Sequence, residues 1–351
     1  MCMSQGLEGV VAAETAISMV DGERGELIIR GYAVEELAPN ATFEETVRIL
    51  GIGDLLDGER ELQPIAYEVL RAAAQRKDDP MDALRAAAGL GGAPLTTFPT
   101  IVAAYWRLLH QQEPIAPSGD LSHAANYLYM LDGDVPSPER VRGLETYLNT
   151  VVDHGLNAST FTARVITSTG SDLVSAIVGA VGALKGPLHG GAPGPALDMV
   201  FEIGEPSRAE AFLRRKIESG ERLMGFGHRV YKVRDPRADV LAAAAERLLA
   251  GNPLYDLAKS VEQTAIRLLE EYKPGRRLQT NVEFYTALLL HGLGLETALF
   301  TPTFAISRVA GWIAHCVEQK AANRLIRPQS VYVGPRGLRW TATRETAPRI
   351  L

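Results

Sequence analysis

The sequence predicts a mainly α-helical fold with minor peripheral β hairpins, and three observations carry that expectation. Apolar residues recur at helical spacing over long stretches. Helix start and stop signals punctuate them. Alternating, β-rich runs are few.

Taken in order, ELIIRGYAV near residue 30 is the first run that reads as short strands. Val141, Leu144, Leu148, Val151 and Val152 then share one helical face, with Ser137 as N-cap and Pro138 at the first helical position. SDLVSAIVGAVGALKG, from Ser171, is apolar nearly all round and predicts a buried helix in which Gly179 and Gly182 allow close helix contact. It runs into KGPLHGGAPG and delivers His189 there. Ser207 and Glu210 have capping-box spacing ahead of Phe212, Leu213 and Ile217. DVLAAAAERLLAGNP stops at Gly-Asn-Pro, and Leu257, Val261, Ala265 and Leu268 stripe the next helix as far as Lys273-Pro274-Gly275. QSVYVGPRGLRW near the C-terminus reads as a second strand or hairpin.

The 351 residues suffice for a large core and about two domains. With 46% apolar and 22% charged residues, neither disorder nor a fibrous repeat is favoured. A net charge of −6 gives no broad basic field, which argues against nucleic acid and anionic membrane as partners. No stretch reaches a membrane-spanning length of apolar residues and no secretory leader is legible, so a cytoplasmic protein is expected. Cys2 and Cys316 exclude a disulfide framework.

Seven histidines occur, and three of them, His154, His189 and His228, each stand in a short polar or glycine-rich break after an apolar segment. One such histidine is usually structural; three together suggest acid-base chemistry. HExxH and HxH pairs are missing, so no metal is expected, and no GxGxxG supports a dinucleotide fold. RVYKVRDPRAD places Arg229, Lys232, Arg234 and Arg237 close behind His228, a cluster that also suits a solvated turn. Arg308 interrupts the apolar FAISRVAGW and needs a carboxylate partner or an anionic ligand. Arg327 precedes proline in NRLIRPQS. Arginine forks of this kind suit a substrate with two carboxylates. Glu283 heads the apolar helix of TNVEFYTALLLHGLG, where it serves either as a dipole partner or as a base.

HGLNASTF, GPLHGGA, GFGHRVYKVRDPRA, NVEFY and RLIRP, in that order, resemble the citrate synthase family, and GLEGVVAAETAIS and LIIRGYAVEELA extend the likeness over nearly the whole chain. The resemblance implies a two-domain helical homodimer, with 1–190 and 295–351 as the large domain and 191–294 as a small domain that closes over substrate. It implies condensation of acetyl-CoA with oxaloacetate and no cofactor. His189 would donate to the thioester carbonyl, Glu283 would remove the methyl proton, and His228 would polarise the ketone. His154, Arg237, Arg308 and Arg327 would hold oxaloacetate, Arg327 from the partner subunit. Gly225, Phe226 and Gly227 would lie along CoA, with Arg229 or Lys232 near its phosphates. The same motifs suit 2-methylcitrate synthase acting on propionyl-CoA, or a non-catalytic homologue that binds CoA and a dicarboxylate. Departures are Glu283 for the family's aspartate, Val151 for a further histidine, Asp79-Pro80-Met81 for histidine-proline-methionine, and RILGIGDLL for a tryptophan-histidine-glycine step.

Overall fold

The computed structural model describes residues 5–7, 9–190, 193–228 and 230–337. Among these the chain is mainly α, as expected. It opens with a small antiparallel sheet of β1 (Ser18–Asp21), β2 (Glu26–Ile29) and β3 (Tyr32–Ala33), in register Ser18 to Ile29 and Ile29 to Tyr32. The helices that follow are α1 (Val34–Asn40), α2 (Phe43–Ile49), α3 (Pro64–Arg76), α4 (Pro80–Ala88), α5 (Pro94–Leu109), α6 (His123–Asp132), α7 (Pro138–Val151) and α8 (Ala158–Ser168). After them come α9 (Leu173–Leu184), α10 (Pro193–Ile203), α11 (Pro206–Glu218), α12 (Pro236–Leu248), α13 (Pro253–Tyr272), α14 (Val282–Gly292) and α15 (Phe300–Ala321).

Local chemistry sets most boundaries. Proline opens α3, α4, α5, α7, α11, α12 and α13, where its missing N–H is an orphan in any case. Ser137, Asn157, Asp172, Asp235, Asn252 and Asn281 cap their helices with side-chain oxygens, each worth about 1 kcal/mol. Leu257, Val261, Ala265 and Leu268 face inward on α13 as their spacing requires.

Three local expectations need correction. The capping box at Ser207 and Glu210 does not form: α11 starts at Pro206, Ser207 Oγ donates to Glu205 Oε1 at 2.7 Å, and Glu210 pairs with Arg214 and Arg267. Proline had already fixed the helix start one residue upstream. The C-terminal run QSVYVGPRGLRW forms no strand over residues 329–337, where no strand among the described residues lies alongside to accept its hydrogen bonds, and residues 338–340 lie outside the described set. On α9 only one face is buried, by Ala176, Ile177, Ala180, Val181 and Leu184. There Gly179 lets α8 approach, since a Cβ would sit 2.3 Å from Ile166 Cδ1, but Gly182 meets nothing closer than Arg85 Cδ at 4.0 Å.

The core is organised around α15, which packs against α4, α5, α7, α8 and α9 and buries Phe300, Ile306, Arg308, Trp312 and His315. On the other side of α7 lies α12, which also contacts α1 and α14. That arrangement brings the end of α7, the start of α8, the start of α12 and the start of α14 toward one region. No described helix is long and apolar enough to cross a membrane.

Candidate active site

His189 stands in the turn after α9, where Gly190 N donates to Leu184 O at 3.1 Å and closes the helix. Its ring is oriented from α8. Ser159 N donates to His189 Nε2 at 3.4 Å, and Ser159 Oγ lies 2.8 Å from the same nitrogen. A backbone N–H can only donate, which makes Nε2 the acceptor and assigns the proton to Nδ1. Ser159 is itself steadied by Trp312, whose Nε1 donates to Oγ at 3.0 Å.

His228 is held differently. Its Nδ1 accepts from Val230 N at 3.1 Å and Tyr231 N at 3.0 Å, so its proton sits on Nε2. Nε2 lies 3.4 Å from Arg237 Nη2. Both groups are donors, so neither satisfies the other, and an oxygen placed between them would accept from both. Arg237 is buried and held by Asp235, with Nε to Oδ1 at 3.0 Å and Nη2 to Oδ2 at 2.8 Å. Asp235 also caps α12 through Arg237 N.

His154 follows α7, its ring centroid 5.8 Å from that of His228 and its Nε2 3.2 Å from Tyr231 Oη. Arg308 is 1% exposed; its Nε donates to Val151 O at 2.7 Å, and its guanidinium lies 4.7 Å from the Phe304 ring centroid. Among the described residues no carboxylate comes within ion-pair distance of it. Burial pulls its pKa down to about 10, against the opposing pull of Asp153. A buried cation this poorly compensated marks a place for an anion.

Glu283 is the second residue of α14, its N–H donating to the Asn281 cap at 3.1 Å. The residue is partly open, yet Oε2 is sealed from solvent with no hydrogen-bond partner. Burial raises its pKa and outweighs the lowering by Arg237. A carboxylate so placed binds a proton more readily than a free one, as a general base should. The segment before it is fastened to the GFGH loop: Gly227 N donates to Gln279 O at 2.7 Å, Asn281 N to Gly225 O at 3.0 Å, and Asn281 Nδ2 to Gly227 O at 2.8 Å. Glycine is required at Gly225, with φ +87° and a Cβ that would meet Phe284 Cβ at 2.9 Å. Phe226 packs on Phe284, ring centroids 5.3 Å apart.

Electrostatics join these groups into one site. Burial pulls down the pKa of all three histidines, to about 4 for His189 and His228 and well below the usual value for His154. Arg308 adds to the lowering at His154 and His189, and Arg237 to that at His154 and His228. All three are neutral at pH 7, so each can offer one N–H without losing charge.

Thus His154, His189, His228, Glu283, Arg237 and Arg308 converge. Arg327 does not: it is exposed in the segment after α15, where Ile326 N donates to Ser168 Oγ at 3.1 Å. Ser168 ends α8, roughly 13 Å along the helix from Ser159. Lys232 is exposed, its N donating to Gly22 O at 2.8 Å in the β1–β2 turn, and Arg229 lies outside the described residues. Arg234 turns away to pair with Asp239 and Glu262. No cluster of three or more potential metal ligands occurs among the described residues. Ser159, Tyr231 and Asp235 were missed in the sequence although each sits inside a motif, Ser159 in HGLNASTF and the other two in RVYKVRDPRA.

Comparison with known proteins adds findings on the family and the fold. The sequence profile of the citrate synthase C-terminal domain matches residues 6–329. Citrate synthase 2 of Bacillus subtilis is 39% identical over 95% of this chain and 97% of its own length, and the citrate synthase of Haloferax volcanii is 37% identical over 98% and 99%. The crystal structure of citrate synthase from Pyrobaculum aerophilum superposes with a TM-score of 0.87 at 38% identity, covering 96% of this chain and 93% of that one. The ternary complex of the Thermoplasma acidophilum citrate synthase with carboxymethyl coenzyme A and oxaloacetate gives a TM-score of 0.87 at 29% identity, covering 97% and 98%. A profile match along nearly the full chain, relatives of equal length and a shared helical fold lead to one conclusion: the chain belongs to the citrate synthase family.

Proposed function

We propose that the protein is a citrate synthase that condenses acetyl-CoA with oxaloacetate, and the observation that carries this is that the structure holds both a neutral imidazole with its proton on Nδ1, His189, and a carboxyl oxygen sealed without a hydrogen-bond partner, Glu283 Oε2. A thioester methyl is a very weak acid. A carboxylate removes its proton at a useful rate only if the oxygen that becomes negative is met at once by a preorganised donor. In this reading Glu283 takes the methyl proton while His189 donates to the thioester oxygen. The enolate carbon attacks the oxaloacetate ketone, whose oxygen accepts from His228 Nε2–H as it becomes negative, and the proton that Glu283 took from the methyl balances the one that ends on the new hydroxyl. Water then cleaves the thioester of the product, giving citrate and CoA.

Oxaloacetate would lie between Arg308 and Arg237, beside His154. Residues 191–294 form the smaller domain in this reading and close over the site to exclude water. Gly225 to Gly227 run along CoA, with Lys232 or Arg229 toward its phosphates. The exposed position of Arg327 supports its service in the site of a second copy within a homodimer.

Glu283 favours acetyl-CoA over propionyl-CoA. Phe284 packs closely against Gly225, and in this reading the methylene by which glutamate exceeds aspartate takes up space within the site. One methylene discriminates by about 1 to 3 kcal/mol. The test is CoA thiol release with oxaloacetate and each acyl-CoA. A higher kcat/KM for acetyl-CoA is expected; a higher value for propionyl-CoA makes the protein a 2-methylcitrate synthase, and an inactive wild type leaves a binding homologue.

A further inference from the structure

Behind His154 lies a chain of buried polar groups that the reaction above does not use. Asp153 and His315 are each 0% exposed and Arg164 is 4% exposed. Arg164 Nη1 donates to Glu318 Oε2 at 2.7 Å and to His315 Nδ1 at 3.0 Å, and its Nε donates to Gln319 Oε1 at 3.0 Å. Because His315 Nδ1 accepts, its proton sits on Nε2, which lies 3.2 Å from Asp153 Oδ1, a close electrostatic contact whose angle falls short of a hydrogen bond and which leaves neither atom another partner. Asp153 Oδ2 accepts from Ser18 Oγ and from Gly155 N, the latter at 3.1 Å, and Gly155 N also reaches Ser18 Oγ at 3.0 Å. The residues on both sides of His154 are therefore tied down. Gly311 of α15 leaves room for them, since a Cβ there would lie 2.3 Å from Val152 O and 2.9 Å from Asp153 Oδ1.

Buried ion pairs add little to stability compared with well-packed apolar side chains, so their presence calls for another role. One observation says which: the chain ends on the backbone flanking His154, at Asp153 and at the Gly155 N–H. We propose that Arg164, His315 and Asp153 form a positioning relay that fixes the backbone on both sides of His154, and with it the ring, for the keto-dicarboxylate without touching it. The inference rests on oxaloacetate being the ligand of that cup, as in the reading above. Outer partners of this kind typically change affinity 10- to 100-fold where they orient metal ligands, and a similar scale applies here.

The test is calorimetric binding on the full chain, with melting recorded in parallel. Asp153→Asn keeps the shape and removes the charge; His315→Gln breaks the relay one step further back. Both should weaken oxaloacetate binding about 10- to 100-fold and leave acetyl-CoA binding within about twofold. A relay acting through His154 also predicts that His154→Ala combined with Asp153→Asn loses much less than the sum of the two single losses. Wild-type oxaloacetate affinity in a folded Asp153→Asn protein, equal weakening of both ligands, or additive losses overturn the relay. Should Asp153→Asn fail to fold, His315→Gln decides by the same split. A wild type that binds oxaloacetate but releases no CoA thiol overturns the condensation reading, and the relay is still judged on binding.

Discussion

His189 and His228 both stand in glycine-rich breaks, yet the protein holds them by opposite means. His228 is fixed locally: its own backbone, at Val230 and Tyr231, donates to Nδ1, and its loop is hydrogen-bonded to residues 279–281. His189 is fixed from a distance, by Ser159 on α8 and, through it, by Trp312 on α15. A loop paired to its neighbour by backbone keeps its geometry whatever side chains surround it. A ring oriented by one serine depends on that serine. The two imidazoles also expose different nitrogens, Nδ1–H for His189 and Nε2–H for His228, so the contrast in support becomes a contrast in which N–H each can offer.

The largest effects should come from removing the chemistry itself. His189→Ala and Glu283→Ala are each expected to lower kcat by about 10² to 10⁴-fold while oxaloacetate affinity stays within a few-fold, read by thiol release and calorimetry. Arg308→Ala should do the reverse, weakening oxaloacetate by about 2 to 5 kcal/mol with acetyl-CoA binding intact. Equal changes in both quantities for all three variants would break the division of labour. Ser159→Ala sharpens the comparison: kcat should fall about tenfold as His189 loses the hydroxyl contact, on the scale by which positioning partners act, and a full-rate variant would show that the turn and the backbone N–H of residue 159 suffice. Gly225→Ala, by contrast, should cost stability, about 1 to 3 kcal/mol in denaturant melts, because φ is positive and Phe284 blocks the new methyl.

A further effect is on pH. His189 and His228 titrate near 4 when folded and near 6.5 when unfolded, so the unfolded chain binds more protons between those values. Stability therefore rises with pH across that window and falls as acid is added from about pH 6.5 toward 4. The raised carboxyl of Glu283 works in the opposite sense at its own titration. A melting temperature flat between pH 6.5 and 4.5 would contradict the buried, neutral state of the histidines.

Much of this could be read in the sequence because it is local. The helix of Val141 to Val151, its Ser137 cap and the stop at Asn252 follow from spacing and cap chemistry within a few residues. The three histidines were visible because glycine and polar residues break an apolar pattern only where something else is needed. Arg308 was visible as a charge in an apolar helix. The capping box at Ser207 misled because two starts compete there and proline at position 206 fixes φ without needing a side-chain acceptor.

What the sequence determined by itself was the helical class, most of the helix ends and the residue types of the site, all consequences of short-range periodicity and backbone chemistry. Only the tertiary structure decided that Ser159 sets the proton of His189, that Arg308 has no carboxylate at pairing distance among the described residues, and that Asp153 meets His315, 162 positions further along the chain. Those facts are distances between side chains on different helices, and no pattern along one helix encodes the angle at which another crosses it.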